Sequence, residues 1–260
     1  MPIDPITHTL FKHGPPAPVC LMYHATPNGP AQSQWDVSLD NFKKQLGLLK
    51  AYGWETRLIS QINETMPSKT VFITFDDGYQ NNYAAFEALV DEAFNATWFI
   101  VSDTIGKNSV WEEDLSAQRP MLSAYQLQSL RQAGMEVGSH TCSHAKLPTL
   151  TTAAIRKELV ESNERLETIT CAPITSLAYP YGLYNTSARD LTQEVGYRHA
   201  VTTKSGVGLV DNDELQIRRI AIYAHDSLAT FARKIVFADN SASWLKTIRY
   251  INHRLLARVR

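Results

Sequence analysis

The segment Val71-Phe72-Ile73-Thr74-Phe75-Asp76-Asp77-Gly78-Tyr79 is an apolar run that ends in two adjacent carboxylates and a glycine, and it is the strongest indication of the fold. A charge inside a sheet is costly unless it is paired or bound to a metal. We therefore predict a buried strand over 71–75, with Asp76 and Asp77 at its end. An isolated Asp-Asp-Gly more often starts a turn or caps a helix, so the surrounding chain decides its role.

Working outward, seven further β-branched or aromatic runs alternate with segments whose apolar residues recur at helical spacing. The strand candidates are 19–23, 56–59, 71–75, 97–101, 135–139, 175–179, 199–203 and 219–223, and the helix candidates are 40–52, 83–93, 124–133, 152–169 and 186–194. This alternation implies a parallel sheet. We predict an α/β fold, a distorted (β/α) barrel of about seven or eight parallel strands, with an open doubly wound sheet as the alternative.

Several helix ends carry local signals. Asp40 and Ser123 are N-cap candidates, and Gly53, Gly134 and Gly196 lie just past a predicted last turn. These residue types are typical of helix starts and stops.

Composition indicates one globular domain. The 260 residues are 44% hydrophobic and 20% charged, and no Pro/Gly/Ser-rich linker divides them. We predict a single catalytic domain over 18–240, preceded by an N-terminal extension (1–17) and followed by a C-terminal basic amphipathic helix (241–260). The net charge of -1 gives no field that attracts nucleic acid.

Two features favour a cytoplasmic location. The three cysteines, Cys20, Cys142 and Cys171, are too few for a disulfide framework. The N-terminus lacks the charged start and apolar run of a secretory signal.

The C-terminal residues 243–260 carry an apolar helical stripe with basic residues around it. The stripe is Trp244, Ile248, Ile251, Leu255 and Val259. We favour a terminal helix packed on the barrel or on a partner subunit. The sharper alternative is a basic amphipathic helix in peripheral contact with the inner membrane face.

A second motif, Gly138-Ser139-His140-Thr141-Cys142-Ser143-His144, places two imidazoles four residues apart. On a helical turn both would share one face, within reach of one cation, if a carboxylate completes the set. Alone the pair is equally typical of a chance surface or core pair. Cys142 would point away from the ligand face.

Two shorter segments also follow strand candidates. Ala178-Tyr179-Pro180-Tyr181-Gly182 turns sharply, so a backbone N–H there is a candidate oxyanion donor, although Pro-Tyr-Gly is also an ordinary surface turn. Met22-Tyr23-His24 ends in a lone histidine, a residue that is more often structural than catalytic. In a parallel barrel the carboxyl ends of all strands open on one face, so these segments and both carboxylates are expected to converge.

Together the motifs resemble the polysaccharide deacetylase family, also called the NodB-homology or carbohydrate esterase 4 group. The matching residues are the T-F-D-D-G of 74–78, the H-T-x-x-H of 140–144 and the P-Y-G of 180–182, within a resemblance that spans about 18–223. The L-x-Y-H segment ending at His24 is similar to the poly-β-1,6-N-acetylglucosamine deacetylase branch.

The resemblance implies a metal-dependent hydrolase that removes N-acetyl groups from a carbohydrate. Asp77, His140 and His144 would bind a divalent metal, usually zinc. Asp76 would be the general base that activates water. The Tyr181 N–H would stabilise the oxyanion, and His24 would be the general acid.

The resemblance also bears on substrate contacts. Tyr79, Pro180 and Tyr181 are the candidate substrate-binding residues, and Trp35 and Trp111 are candidates for stacking on a sugar, whereas Trp98 is expected in the core. Polymer, oligosaccharide, nucleotide sugar and lipid-linked sugar all stay open as the N-acetylated substrate. The missing export signal favours a small or lipid-linked intermediate.

Two residues depart from the family pattern. Many members carry an arginine four positions before the motif glycine, where this chain has Ala178, so another group must hold Asp76 or its role as base is weakened. The usual C-terminal histidine motif is also unclear, and His225, with Asp226 as a partner, is the rival general acid.

Two other functions compete with deacetylation. A two-histidine, one-carboxylate set also describes non-haem iron oxygenases, but the β/α order argues against their usual jelly roll. The second alternative is a non-catalytic carbohydrate-binding or assembly protein on the same fold, which the missing arginine favours.

Overall fold

The computed structural model describes residues 3–15, 17–63, 66–111, 117–210 and 212–243. Eight strands lie within these ranges, and both ends of each are within two residues of the predicted bounds. They are β1 (Val19–Tyr23), β2 (Glu55–Arg57), β3 (Thr70–Phe75), β4 (Thr97–Ile100), β5 (Glu136–Ser139), β6 (Ser176–Ala178), β7 (His199–Val201) and β8 (Ile220–Ala221).

The strands form one parallel sheet. Its order is β7-β6-β5-β4-β3-β1-β8, and β2 pairs with β3 beside this path. Ile217, just before β8, makes a parallel bridge to Val201 of β7, so the two ends of the path approach each other and the sheet curls. The predicted α/β fold with a distorted parallel barrel is confirmed, and the carboxyl ends of its strands open on one rim.

Seven α-helices are described, and five of them, α2 to α6, match predicted segments. The helices are α1 (Pro5–His13), α2 (Leu39–Ala51), α3 (Tyr83–Asp91), α4 (Ala124–Gln132), α5 (Thr152–Thr170), α6 (Thr186–Val195) and α7 (Leu228–Phe237). The N-cap predicted at Ser123 is confirmed. The one predicted at Asp40 is wrong, because the Ser38 hydroxyl accepts the Asn41 N–H (3.3 Å) and α2 starts earlier.

Two helices were not predicted, α1 and α7, and they pack against each other. Asp4 caps α1 and also binds Arg233 of α7 (3.2 Å), while Phe11 is fully buried. The segment predicted as an N-terminal extension is therefore docked on the barrel through α1.

Aromatic packing between the sheet and the helices fixes the end of β3. Phe75 stacks on Trp98, with ring centroids 4.8 Å apart and planes 13° apart, and both side chains are fully buried. The predicted core role of Trp98 is confirmed. Because Phe75 directly precedes Asp76, this packing also anchors the residues that follow it.

The C-terminal prediction falls almost wholly outside the described residues, since the amphipathic segment 243–260 is described only at Ser243. Within the described ranges, none of the helices combines the length and the apolar character needed to cross a bilayer.

Candidate active site

The end of β3 presents its two carboxylates through a sharp turn. Asp76 continues the strand, and its N–H donates to the Tyr23 carbonyl (2.9 Å). Asp77 adopts a left-handed backbone, with φ 70°, which costs of order 1–3 kcal/mol in a non-glycine residue. Gly78 follows at φ 91°, where a Cβ would lie 3.0 Å from Ile100. The turn therefore needs glycine at 78 and aims Asp77 away from the strand direction.

Asp77, His140 and His144 form a compact buried cluster. Asp77 Oδ1 lies 3.4 Å from Nε2 of each histidine, and one ligand atom from each residue lies within 4.8 Å of the others. Zinc in enzymes is commonly held by three such oxygen and nitrogen ligands, which leaves a position for water or substrate. The donor set among the described residues fits a divalent cation.

The His140 ring is oriented by the neighbouring strand. Its Nδ1 donates to the carbonyl of Ala178 (2.8 Å), a contact that points Nε2 towards Asp77. Such a bond fixes both the tautomer and the direction of a metal-binding imidazole. Ala178 thus contributes through its backbone at the position where the family arginine was expected.

The segment that carries the histidine pair is a loop, so the helical turn predicted for it is wrong. Thr141 and His144 have left-handed φ values of 66° and 62°. Glu158 of α5 accepts the N–H groups of Cys142 (2.9 Å) and Ser143 (3.0 Å). These bonds hold the loop so that the imidazole centroids lie 4.8 Å apart.

The protonation states suit metal ligands. Burial favours the neutral form of Asp77, but the hydrogen bond with His140 and the charges of His24 and His144 hold the Asp77 pKa below its ordinary value. Burial and the charge of His140 lower the pKa of His144 to about 4. Near neutral pH, Asp77 is a carboxylate and His144 a neutral imidazole, the forms that bind metals.

His140 behaves differently. Burial opposes its charge, yet the hydrogen bond with Asp77 and the charge of Asp76 raise the His140 pKa. A cation held by His140 would take the place of that proton, so proton and metal would compete for this residue.

Asp76 is held by an arginine that the sequence analysis did not assign. Arg219 donates from Nη1 to Asp76 Oδ1 (2.6 Å) and from Nη2 to Oδ2 (2.7 Å), a bidentate geometry that is strong and directional. Its Nε donates to the Thr202 carbonyl (2.9 Å) and Nη1 also donates to Thr74 (3.0 Å). Arg219 is only 1% exposed.

The pairing keeps Asp76 charged. Burial alone raises the pKa of Asp76, but the Arg219 guanidinium outweighs burial and holds that pKa below its ordinary value. Arg219 thus holds Asp76 in place of the family arginine that is missing at position 178. In the sequence, this role is indicated only by the position of Arg219, a charged residue directly before the apolar residues of β8.

A cavity of about 640 Å³, here called the main cavity, is lined by Asp76, Asp77, His140 and His144. Its size suits a small organic ligand. Its walls are partly aromatic. The ring centroids of Trp111 and His144 lie 4.6 Å apart, and those of Trp35 and His24 lie 4.5 Å apart. Trp35 and Trp111 are therefore placed where the stacking prediction requires them.

The Pro-Tyr-Gly turn contributes unequally to the main cavity. Tyr181 lines it, is 46% exposed and has φ 58°. Its ring lies 4.5 Å from the His144 ring. Pro180 is buried and does not line the cavity, whereas Tyr79 does. At Gly182 a Cβ would lie 2.2 Å from the Thr203 hydroxyl, so this turn requires glycine.

The two rival acids lie in different places. His24 lines the main cavity, and Asn82 donates to its backbone carbonyl (2.6 Å). Burial lowers the pKa of His24 although Asp77 and Asp76 raise it in part. His225 lines a separate cavity, and Asp226 accepts from Lys234 and the Tyr223 N–H instead of from His225.

Fold and site together define a class: a parallel α/β barrel with an Asp-His-His cluster at the carboxyl ends of its strands. A family model, polysaccharide deacetylase, matches residues 63–200 of the chain. The chain therefore belongs to the polysaccharide deacetylase family. The matched range contains both carboxylates and the histidine pair, but neither His24 nor Arg219.

Known proteins agree with this assignment. A structure of a Bacillus anthracis protein described as a polysaccharide deacetylase is 30% identical, with a TM-score of 0.72 over 84% of this chain and 68% of that one. A Streptococcus pyogenes deacetylase crystallised with acetate is 26% identical, with a TM-score of 0.74 over 85% of this chain and 99% of that one.

One group of curated relatives is named for its substrate. The poly-β-1,6-N-acetyl-D-glucosamine N-deacetylase of Staphylococcus epidermidis is 26% identical over 215 residues, covering 77% of this chain and 72% of its own length. The Escherichia coli K12 protein of that name is also 26% identical, but only 38% of its length is matched.

Proposed function

We propose that this protein is a metal-dependent hydrolase that removes N-acetyl groups from an N-acetylated carbohydrate. One observation carries the proposal: the Asp77-His140-His144 cluster and the Arg219-held carboxylate of Asp76 line the same cavity. A cation site next to a fixed carboxylate base supports metal-assisted hydrolysis of an amide.

A divalent cation held by Asp77, His140 and His144, with zinc suited to this donor set, would acidify a water molecule and polarise the amide oxygen. Asp76 takes a proton from the attacking water, and Arg219 keeps Asp76 ionised and oriented. The Tyr181 N–H stabilises the developing oxyanion. His24 donates a proton to the departing nitrogen, which leaves as the sugar amine while the acetyl group leaves as acetate.

The competing carbohydrate-binding function loses its main support. It rested on the missing motif arginine, and Arg219 supplies a guanidinium to Asp76 from another part of the chain. We therefore keep the hydrolase as the proposal. The cytoplasmic location and the membrane-contacting C-terminal helix stay predictions.

Acetate release from a panel of N-acetylated sugars tests the proposal. The panel includes β-1,6-linked N-acetylglucosamine oligomers, nucleotide-linked and lipid-linked N-acetylglucosamine. We expect release from at least one class, its loss on chelation and its recovery on addition of zinc. Zinc binding without acetate release from any member would instead favour the binding protein.

A further inference from the structure

A second cavity, of about 540 Å³, lies at the start of α7, and we call it the α7 cavity. It shares no lining residue with the main cavity. Polar side chains from three parts of the chain line it: Asp4 before α1, Asn41, Lys44 and Gln45 of α2, and His225, Asp226 and Ser227 before α7. Its volume is in the range of pockets that hold small organic ligands.

Asp226 is an incompletely satisfied acceptor in this lining. The residue is 5% exposed, and its Oδ2 accepts from Lys234 and from the Tyr223 N–H (2.8 Å). Its Oδ1 accepts no hydrogen bond from any described residue. A buried acceptor without a donor costs about 1–3 kcal/mol. Since Lys234 already balances the charge, the missing partner is a neutral donor such as a hydroxyl.

The other groups of the α7 cavity fit a neutral, polyhydroxylated ligand as well. Gln45 accepts the Tyr23 hydroxyl through Oε1 (2.8 Å), which leaves its amide N–H groups as donors. Asp4, the second carboxylate of the lining, pairs with Arg233. Lys44 of the lining is likewise paired, with a carboxylate one helical turn earlier. A lining whose charged side chains are paired favours a neutral ligand.

A row of aromatic rings joins the two cavities. Ring centroids lie 4.5 Å apart from His24 to Trp35, 5.0 Å from Trp35 to Tyr223, and 5.5 Å from Tyr223 to His225. Trp35 and Tyr223 are partly exposed and His225 is exposed. The Ala224 N–H donates to the Gln34 carbonyl (2.8 Å), which joins the segment that carries Trp35 to the segment that carries Tyr223 and His225.

We propose that the α7 cavity binds a sugar unit of the substrate remote from the acetamide that is cleaved. A pyranose offers hydroxyl donors for Asp226 and the amides, and a face of C–H groups for aromatic rings. Trp35, Tyr223 and His225 support the sugars in between. The inference rests on the proposed function only for the occupant of the main cavity, and it makes the substrate an oligomer.

The test measures binding of β-1,6-linked N-acetylglucosamine oligomers to the full chain by calorimetry, with chelator present to prevent turnover. Ala229→Trp fills the α7 cavity. The control is Ala153→Trp, because Ala153 is the second residue of α5 as Ala229 is of α7. We expect Ala229→Trp to reduce the ratio of hexamer to dimer affinity about fivefold, as for one lost hydrogen bond, and Ala153→Trp to leave it unchanged.

Equal hexamer-to-dimer ratios in the wild type and Ala229→Trp overturn the inference, whether or not acetate is released. A wild type that binds dimer and hexamer equally overturns it too. If no sugar is deacetylated but the ratio still falls in Ala229→Trp, the proposed function fails and the inference stands. Should Ala229→Trp lower the melting temperature, Asn41→Ala removes a partly exposed lining side chain and gives the same comparison.

Discussion

The two sides of the main cavity are built in different ways. On the metal side, Asp77 and the histidine pair come from two short motifs, and local left-handed turns aim them. On the base side, Asp76 depends on Arg219, which lies 143 residues further along the chain. Ligand identity is thus encoded locally, whereas the orientation and charge of the base depend on a contact that only folding creates.

The two sides also differ in how their charges are balanced. The metal side gathers one carboxylate and two imidazoles, which a bound cation would hold together. The base side contains a complete ion pair, with both partners almost fully buried. A buried pair that loses one partner leaves an uncompensated charge. We therefore expect substitutions on the metal side to affect metal content, and those on the base side to affect stability and turnover.

The largest effect is expected from Asp77→Asn. The amide keeps the shape of the side chain but removes the charge that binds the cation. We expect loss of bound zinc after dialysis and no detectable acetate release, measured by metal analysis and an acetate assay. Asp91→Asn, an exposed carboxylate at the end of α3, is the control. Full zinc content and turnover in Asp77→Asn would show the metal side to be wrongly assigned.

The next largest effect is expected from Arg219→Met. Loss of the guanidinium should reduce kcat/KM about 10³-fold, within the range for a general base. It should also lower the free energy of unfolding by about 3–5 kcal/mol, because Asp76 stays buried and unpaired. Zinc content should not change. Urea denaturation and acetate release check this.

The double variant Asp76→Asn/Arg219→Met sharpens the comparison, since it removes both charges of the pair. We expect it to recover most of the stability and none of the activity. A double variant as unstable as Arg219→Met would mean that lost packing of the arginine, and not the unpaired carboxylate, is the cause.

A smaller effect is expected from His24→Ala. Removal of this proposed general acid should reduce kcat about 10²-fold, the lower end for proton transfer by a side chain. His225→Ala should leave kcat on a short substrate close to that of the wild type, because His225 lies in the α7 cavity. Near-normal turnover in His24→Ala together with loss in His225→Ala would reverse the assignment.

The smallest effect is expected from Glu158→Ala, which releases the N–H groups of Cys142 and Ser143. We expect zinc affinity to fall about tenfold, as for outer residues that orient ligands, with kcat restored at saturating zinc. Glu161→Ala, on the same helix and partly exposed, is the control. An unchanged zinc dissociation constant in Glu158→Ala, from competition with a chelating dye, would mean that the loop holds its shape without this contact.

Much of the fold was predictable because its signals are local. Strands such as 71–75 read as buried β-branched and aromatic runs, and helices such as 124–133 carry a cap and a glycine at their ends. Local sequence signals did not predict α1 and α7, because these helices lie outside the alternating pattern and are stabilised by packing on each other. The same signals also placed the α2 cap at Asp40, although Ser38 offered a hydroxyl two residues earlier.

The site was predictable to the extent that its residues lie in short motifs. Five residues predicted from the sequence line one cavity in the structure: Asp76, Asp77, His140, His144 and Tyr181. The geometry of the histidine pair was not predictable, because its spacing fits a helical turn while Glu158 and two left-handed residues impose a loop.

By itself the sequence determined the parallel barrel and the identity of the candidate metal ligands, because hydrophobic periodicity and short motifs act between near neighbours in the chain. The folded structure was needed to show which residue holds Asp76, which of His24 and His225 shares its cavity, and that an aromatic row leads to a second cavity. Each of these depends on distant segments meeting: Arg219 reaches Asp76 only because β8 pairs with β1 beside β3.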